Sequence, residues 1–196
     1  MKMHTILVTV ALAGLTACCG MADAQPEKKL NILAFAAHPD DVELNVGGTL
    51  LKYKKAGHNI FLAYATSGNT GSNEMTDTKL IGETREKEAL EAAKFYGAKV
   101  RFLRNDDERL LDTNETRTQV LDALRWAEPD IVFTHWMGDE SPDHKMTSHL
   151  VRSMILSMPG INQQSNEKYA IKKTHVNMES SKTAAPQKAK NEYSCI

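Results

Sequence analysis

Leu30-Asn31-Ile32-Leu33-Ala34-Phe35 is a short apolar run that predicts a buried strand over residues 30–37. Just beyond it, Val42, Leu44, Val46, Leu50 and Leu51 begin a helical pattern. A helix is expected over about residues 43–55, closed by Gly57, which takes a left-handed cap at little cost. The alternation then repeats. Residues 58–65 read as a second strand, and 66–73 as a loop rich in Gly, Ser, Thr and Asn. A long helix is expected over residues 77–96, with Leu80, Ala89, Ala92, Ala93 and Phe95 facing inward and Gly97 stopping it. A third strand follows at 99–103, then a charged loop at 104–112. Thr113 or Asn114 can cap a helix carrying Val120, Leu121, Leu124 and Trp126, ended by Glu128-Pro129. A fourth strand at 130–134, a loop at 135–143 and a last helix at 144–158, with Leu150, Met154 and Ile155 as its core stripe, complete the pattern.

Strand and helix alternating in this way predict an α/β fold: a Rossmann-like three-layer αβα domain with a mostly parallel sheet. In that strand order the first and fourth strands are neighbours, and ligands bind beyond the carboxyl ends of the strands. The loop after strand one carries His38, Asp40 and Asp41, and the loop after strand four leads through Asp139 and Asp143 to His144. Adjacent strands would open both loops into one crevice. His, Asp and His suit zinc, three protein ligands leave a position for water, and a further carboxylate can take a proton from that water. No Gly-x-Gly-x-x-Gly run follows the first strand, which argues against a dinucleotide site.

Length and charge add limits. A chain of 196 residues with net charge −1 allows one domain and gives no sign of a nucleic-acid partner. Cys18, Cys19 and Cys195 lie near the ends and suggest no disulfide framework. Residues 1–24 read as a targeting leader. Lys2 precedes an apolar run from Ile6 to Leu15 that is short for a membrane span. Leu15-Thr16-Ala17-Cys18 resembles a bacterial lipobox, which would anchor the mature chain by a lipid on Cys18 in the cell envelope. Cleavage after Ala22-Asp23-Ala24, giving a periplasmic or secreted chain, is the competing expectation.

Ala37-His38-Pro39-Asp40-Asp41 resembles the signature of the PIG-L/LmbE family of zinc-dependent N-deacetylases. The run from Thr134 to His144 is similar to that family's second signature, and the likeness covers roughly residues 30–158. The resemblance implies that His38, Asp41 and His144 bind zinc and that Asp40 is the general base. It implies that Arg85, in an Arg-x-x-Glu helix with Glu88, contacts substrate. It places Asp107 near another substrate-binding position, although the flanking residues differ. The substrate implied is an N-acetylated amino sugar or glycoconjugate.

Two departures stand out. The first histidine of the family's His-Pro-Asp-His run is Ser141 here, so a catalytic group at this position keeps a hydroxyl but not a cationic acid. Asp143, which in relatives would hold that histidine, remains. Residues 159–196 are polar and Lys-rich, without the further strands and helix expected of relatives, and read as a truncated, disordered tail. Hence a second functional expectation: a weak or inactive relative acting as a binding or degenerate envelope protein. Pro39-Asp40-Asp41 could also be a plain helix-entry turn with Asp as N-cap. His135 and Trp136 read as crevice wall, His149 as structural or exposed, and residues 104–109 as a solvated loop.

Overall fold

The computed structural model describes residues 28–158 and the backbone of Glu192–Cys195. The expected leader, and most of the expected tail, lie outside the described residues. The elements are β1 (Asn31–Ala36), α1 (Asp41–Asn45), α2 (Gly47–Lys55), β2 (Asn59–Thr66), α3 (Thr78–Tyr96), β3 (Lys99–Asn105), α4 (Asn114–Ala127), β4 (Ile131–Thr134), α5 (Pro142–Ser157) and β5 (Glu192–Cys195). The strand order is β3-β2-β1-β4-β5, with every pair parallel. β1 lies between β2 and β4, with Ile32 opposite both Ile60 and Ile131, so the expected reversal of strand order falls at β1/β4.

The two-residue period of the strands sorts their side chains into two cores. Leu33, Phe35, Phe61, Ala63 and Val132 pack against Val120, Leu121 and Leu124 of α4 and Leu150, Val151 and Ile155 of α5. Ile32, Ala34, Ile60, Leu62 and Phe133 pack on the other face against Val42, Val46 and Leu50 and against Ala89, Ala93 and Tyr96 of α3. Covered on both faces, β1 and β2 must be apolar nearly throughout, which is why they read as continuous runs rather than alternating ones.

Four expectations need correction. The first helix is two helices, broken at Val46; Val42, Val46 and Leu50 face the core, while Leu44 and Leu51 are exposed. In α3 the inward stripe is Ile81, Ala89, Ala93 and Tyr96; Leu80 and Phe95 face solvent. Positions 81, 89, 93 and 96 keep helical register with one another, and alanines at 89 and 93 let the helix approach the sheet closely. Arg85 belongs to the same stripe by spacing, so it is carried toward the sheet. α5 begins two residues early, at Pro142: Ser141 is its N-cap, its hydroxyl accepting from His144 N–H at 3.4 Å, and proline suits the first helical position. Finally, the tail read as disordered contributes β5, which pairs with β4.

Candidate metal centre

The three residues expected to hold a metal converge. Asp41 opens α1, and His38 stands three residues earlier in the turn leaving β1. His144 comes from the first turn of α5, and the β1–β4 pairing brings it across. His38 Nδ1 is 3.4 Å from Asp41 Oδ2, His144 Nε2 is 3.3 Å from Asp41 Oδ1, and the two ring nitrogens are 3.3 Å apart. The opposite nitrogen of each imidazole faces carboxylate. His144 Nδ1 lies 3.1 Å from Asp139 Oδ2. His38 Nε2 lies 2.9 Å from Asp107 Oδ1 and 3.4 Å from Asp143 Oδ2. Carboxylates behind both rings can accept from the far nitrogens, so that an ion at the common centre would meet the lone pairs of the near ones, as in most histidine metal sites. His38, Asp41 and His144 therefore form a group that could hold a metal ion.

Several residues do something other than expected. Asp143 is buried. Its carboxylate accepts from Glu108 N–H at 2.7 Å and Leu110 N–H at 3.3 Å, besides lying beside His38. It supports His38 and ties down the loop after β3, rather than holding residue 141. Asp107 is also buried, and its second oxygen accepts from the Thr70 hydroxyl at 2.7 Å. It stands behind His38, while Arg104, Asp106, Glu108 and Arg109 around it are exposed, as expected of a solvated loop. Ser141 is spent on capping α5, and its N–H donates to Asp139 Oδ1 at 2.9 Å.

Asp40 has φ 144°, and its side chain makes no capping bond, so the plain N-cap reading does not hold. Its carboxylate is half exposed and lies 2.6 Å from Arg85 Nη2. His149 is exposed and pairs with Asp112 at 3.1 Å.

Three contributors went unassigned in the sequence. Asp139 orients His144; its position five residues ahead, at the close of a turn in which its N–H donates to Trp136 O, was the available signal. His135 is more than wall. It is 2% exposed, stacks on His144 with centroids 3.9 Å apart, and its Nε2 accepts from Ala37 N–H at 2.9 Å. That nitrogen carries a lone pair, so its 3.3 Å approach to Asp41 Oδ2 is a contact between acceptors rather than an ion pair. Thr70, in the loop after β2, left no local signal.

The electrostatics follow from this crowding. Burial alone would lower the pKa of His38; the Asp143 and Asp41 carboxylates, with Asp107 adding its charge, reverse that and push it up to about 10. Burial alone would raise Asp41, and contacts including His38 hold it below the usual carboxylate range. A raised folded-state pKa favours the fold wherever the group is protonated, so the His38 contribution is complete below its unfolded value of about 6.5 and lost as pH rises to about 10. Chelator-treated protein should lose thermal stability between pH 7 and 10, and His38→Gln should lose less. Parallel pH profiles for the two proteins would remove this account of His38.

The chain matches the family model described as PIG-L, GlcNAc-PI de-N-acetylase, over residues 33–155. It is 29% identical over 127 residues to diacetylchitobiose deacetylase of Thermococcus kodakarensis, covering 61% of this chain and 46% of that one. The chain thus spans about half the length of that relative. The solved N,N'-diacetylchitobiose deacetylase of Pyrococcus horikoshii, in complex with its inhibitor MPG, superposes with a TM-score of 0.65 at 28% identity, over 70% of this chain and 54% of that one. GalB of Pseudomonas putida, a 4-carboxy-2-hydroxymuconate hydratase, superposes with a TM-score of 0.63 at 25% identity, over 70% of this chain and 60% of that one. The matched stretch runs from Leu33 in β1 through the His38–Asp41 turn and His144 to Ile155 in α5, more than half of the chain, and on that ground this chain belongs to the PIG-L family.

Proposed function

We propose that this chain is a zinc-dependent N-deacetylase acting on an N-acetylated amino sugar or glycoconjugate. The observation that carries the reading is the spacing of the three donors. Zinc with nitrogen and oxygen ligands at about 2.0–2.1 Å in tetrahedral array keeps those ligands about 3.3–3.4 Å apart. The two imidazole nitrogens stand 3.3 Å apart, and Asp41 faces each of them with a different oxygen, Oδ2 at 3.4 Å from His38 and Oδ1 at 3.3 Å from His144, so one carboxylate spans the pair at about that range. The donor set, two imidazoles and one carboxylate, is one that zinc accepts and that leaves a position open. Bound there, the ion would supply Lewis acidity, lowering the pKa of water and polarising an acetyl carbonyl.

The chain's own groups supply the rest. Asp40, beside a ligand but half exposed, takes a proton from water and can return it to the leaving amine nitrogen. His38 and His144 are held by Asp107, Asp143 and Asp139, so the ligands need no reorganisation. Trp136 supports the sugar part of the proposal. It follows His135, is 63% exposed, and its indole lies against Gly138, where an added Cβ would meet the ring at 2.5 Å. A fixed, exposed indole beside a polar site offers a flat apolar face to a sugar ring. The leader belongs to the same proposal: lipidation at Cys18, or cleavage after Ala24, would place the enzyme at the cell envelope or beyond it.

One observation favours a weaker catalyst. Ser141 offers a hydroxyl, already used as a helix cap, where relatives are expected to carry a histidine. Purified protein should release acetate from N,N'-diacetylchitobiose or an N-acetylglucosamine conjugate, lose that activity on chelation and recover it with zinc. Ser141→His should raise the rate with zinc content unchanged, since losing one oxyanion donor costs on the order of 10²–10³. The same variant gives up a helix cap, worth about 1 kcal/mol of stability. Zinc-replete protein releasing no acetate, as either wild type or Ser141→His, would end the deacetylase reading. A hydratase reaction of the kind named for GalB would release none.

A further inference from the structure

The Arg85 side chain reaches from α3 into the turn after β1. It is 18% exposed. Nη2 donates to Pro39 O at 2.9 Å and to Asp40 Oδ2 at 2.6 Å, and Nη1 donates to Gly71 O at 3.0 Å. Nε is buried and has no hydrogen-bond partner. Of the five guanidinium N–H groups, both on Nη2 and one on Nη1 are therefore committed, and Nε faces protein. One N–H remains for anything else.

The loop after β2 is shaped around this group. A Cβ at Gly68 would stand 2.7 Å from Arg85 Nε, and one at Gly71 would stand 3.1 Å from Nη1. A side chain at either position would require the guanidinium to shift, at Gly71 by a few tenths of an ångström. Gly68 also has φ 58°, a left-handed conformation that glycine adopts freely. The same loop reaches the other half of the site through Thr70, whose hydroxyl bonds Asp107 behind His38.

What Arg85 holds is unusual. Asp40 at φ 144° is outside the regions open to most side chains, and such a residue costs about 1–3 kcal/mol unless its surroundings over-determine it. Arg85 grips the peptide oxygen just before Asp40 and the Asp40 carboxylate with the same nitrogen. Backbone and side chain are thus fixed together.

We propose that Arg85 is the positioning residue for Asp40, and that the loop containing Gly68 and Gly71 is the slot that aims it. The inference rests on the deacetylase reading for its kinetic consequence, but not for the clamp itself. Holding the turn through Nη2 and Gly71 O through Nη1 at once needs the two-nitrogen fork of the guanidinium; an ammonium has the charge but only one nitrogen. A base displaced by about 1 Å costs on the order of 10²-fold in rate.

The test compares wild type with Arg85→Lys, Arg85→Ala and Gly71→Ala. The last moves the guanidinium without deleting it. Acetate release is resolved into kcat and KM, zinc content is measured, and amide hydrogen exchange is followed over residues 40–41 and 67–72 in chelator-treated protein. The expected result is a roughly 10²-fold fall in kcat for both Arg85 variants, a smaller fall for Gly71→Ala, KM within a few-fold of wild type and zinc retained. Protection of the two segments should be lost together. A raised KM with kcat intact would make Arg85 a substrate contact and overturn the proposal. So would unchanged exchange in Arg85→Lys and Arg85→Ala. If wild type itself releases no acetate while both segments lose protection together in the variants, the clamp stands and the deacetylase reading fails.

Discussion

Asp40→Asn is expected to keep its zinc and to lose turnover by about 10²–10⁴-fold, the range usual for a general acid–base group. The variant suits the question because asparagine keeps the shape, can still accept from Arg85, and is among the few residues that tolerate positive φ. Asp40 makes no capping bond, so α1 loses no hydrogen bond when the charge is removed. A fall in rate would thus report the missing proton acceptor rather than a damaged fold. Asp40 is not in the group that could hold a metal, and zinc content should match wild type. A zinc-replete Asp40→Asn enzyme with normal turnover would take Asp40 out of the mechanism.

His144→Ala should have the largest effect on the metal itself. Removing one of three donors leaves Asp41 and His38, and strips Asp139 of the imidazole it faces at 3.1 Å. Loss of an outer carboxylate typically weakens metal binding about 10–100-fold, so loss of the ligand should exceed that. Zinc measured after dialysis against a mild chelator should be near absent in His144→Ala and reduced in Asp139→Asn. Full retention in His144→Ala would remove it from the ligand set. Retention in Asp139→Asn alone would show that His144 needs no orienting partner.

Both variants sit on residues that the sequence pointed to, Asp40 locally and His144 through the strand order. The apolar runs at β1, β2 and β4 were legible because strands buried on both faces must be apolar at nearly every position. His38, Asp40 and Asp41 were legible because they fall where such a run ends and a helix begins. His144 was legible only with the inference that β1 and β4 are neighbours, which the pairing of Ile32 with Ile131 bears out. The order of elements and the donor chemistry of His38, Asp41 and His144 were therefore properties of the chain's own pattern, repeated segment by segment.

Which carboxylate serves which partner was decided elsewhere. Asp107, Asp139 and Asp143 are chemically alike and all lie in segments after a strand. Nothing local says that Asp107 and Asp143 meet His38 while Asp139 meets His144. Arg85 on an exposed-looking helix gave no sign that two glycines in another loop leave room for it, or that it would hold Asp40. On α3, Ala89 and Ala93 face inward as expected, but Leu80 and Phe95 do not, because the alanines bring their own side of the helix to the sheet with Ile81 and Tyr96. Periodicity records only whether a side chain is buried. The partner of a buried charge depends on which loops the strand order brings within about 3 Å, and that is a property of the assembled sheet.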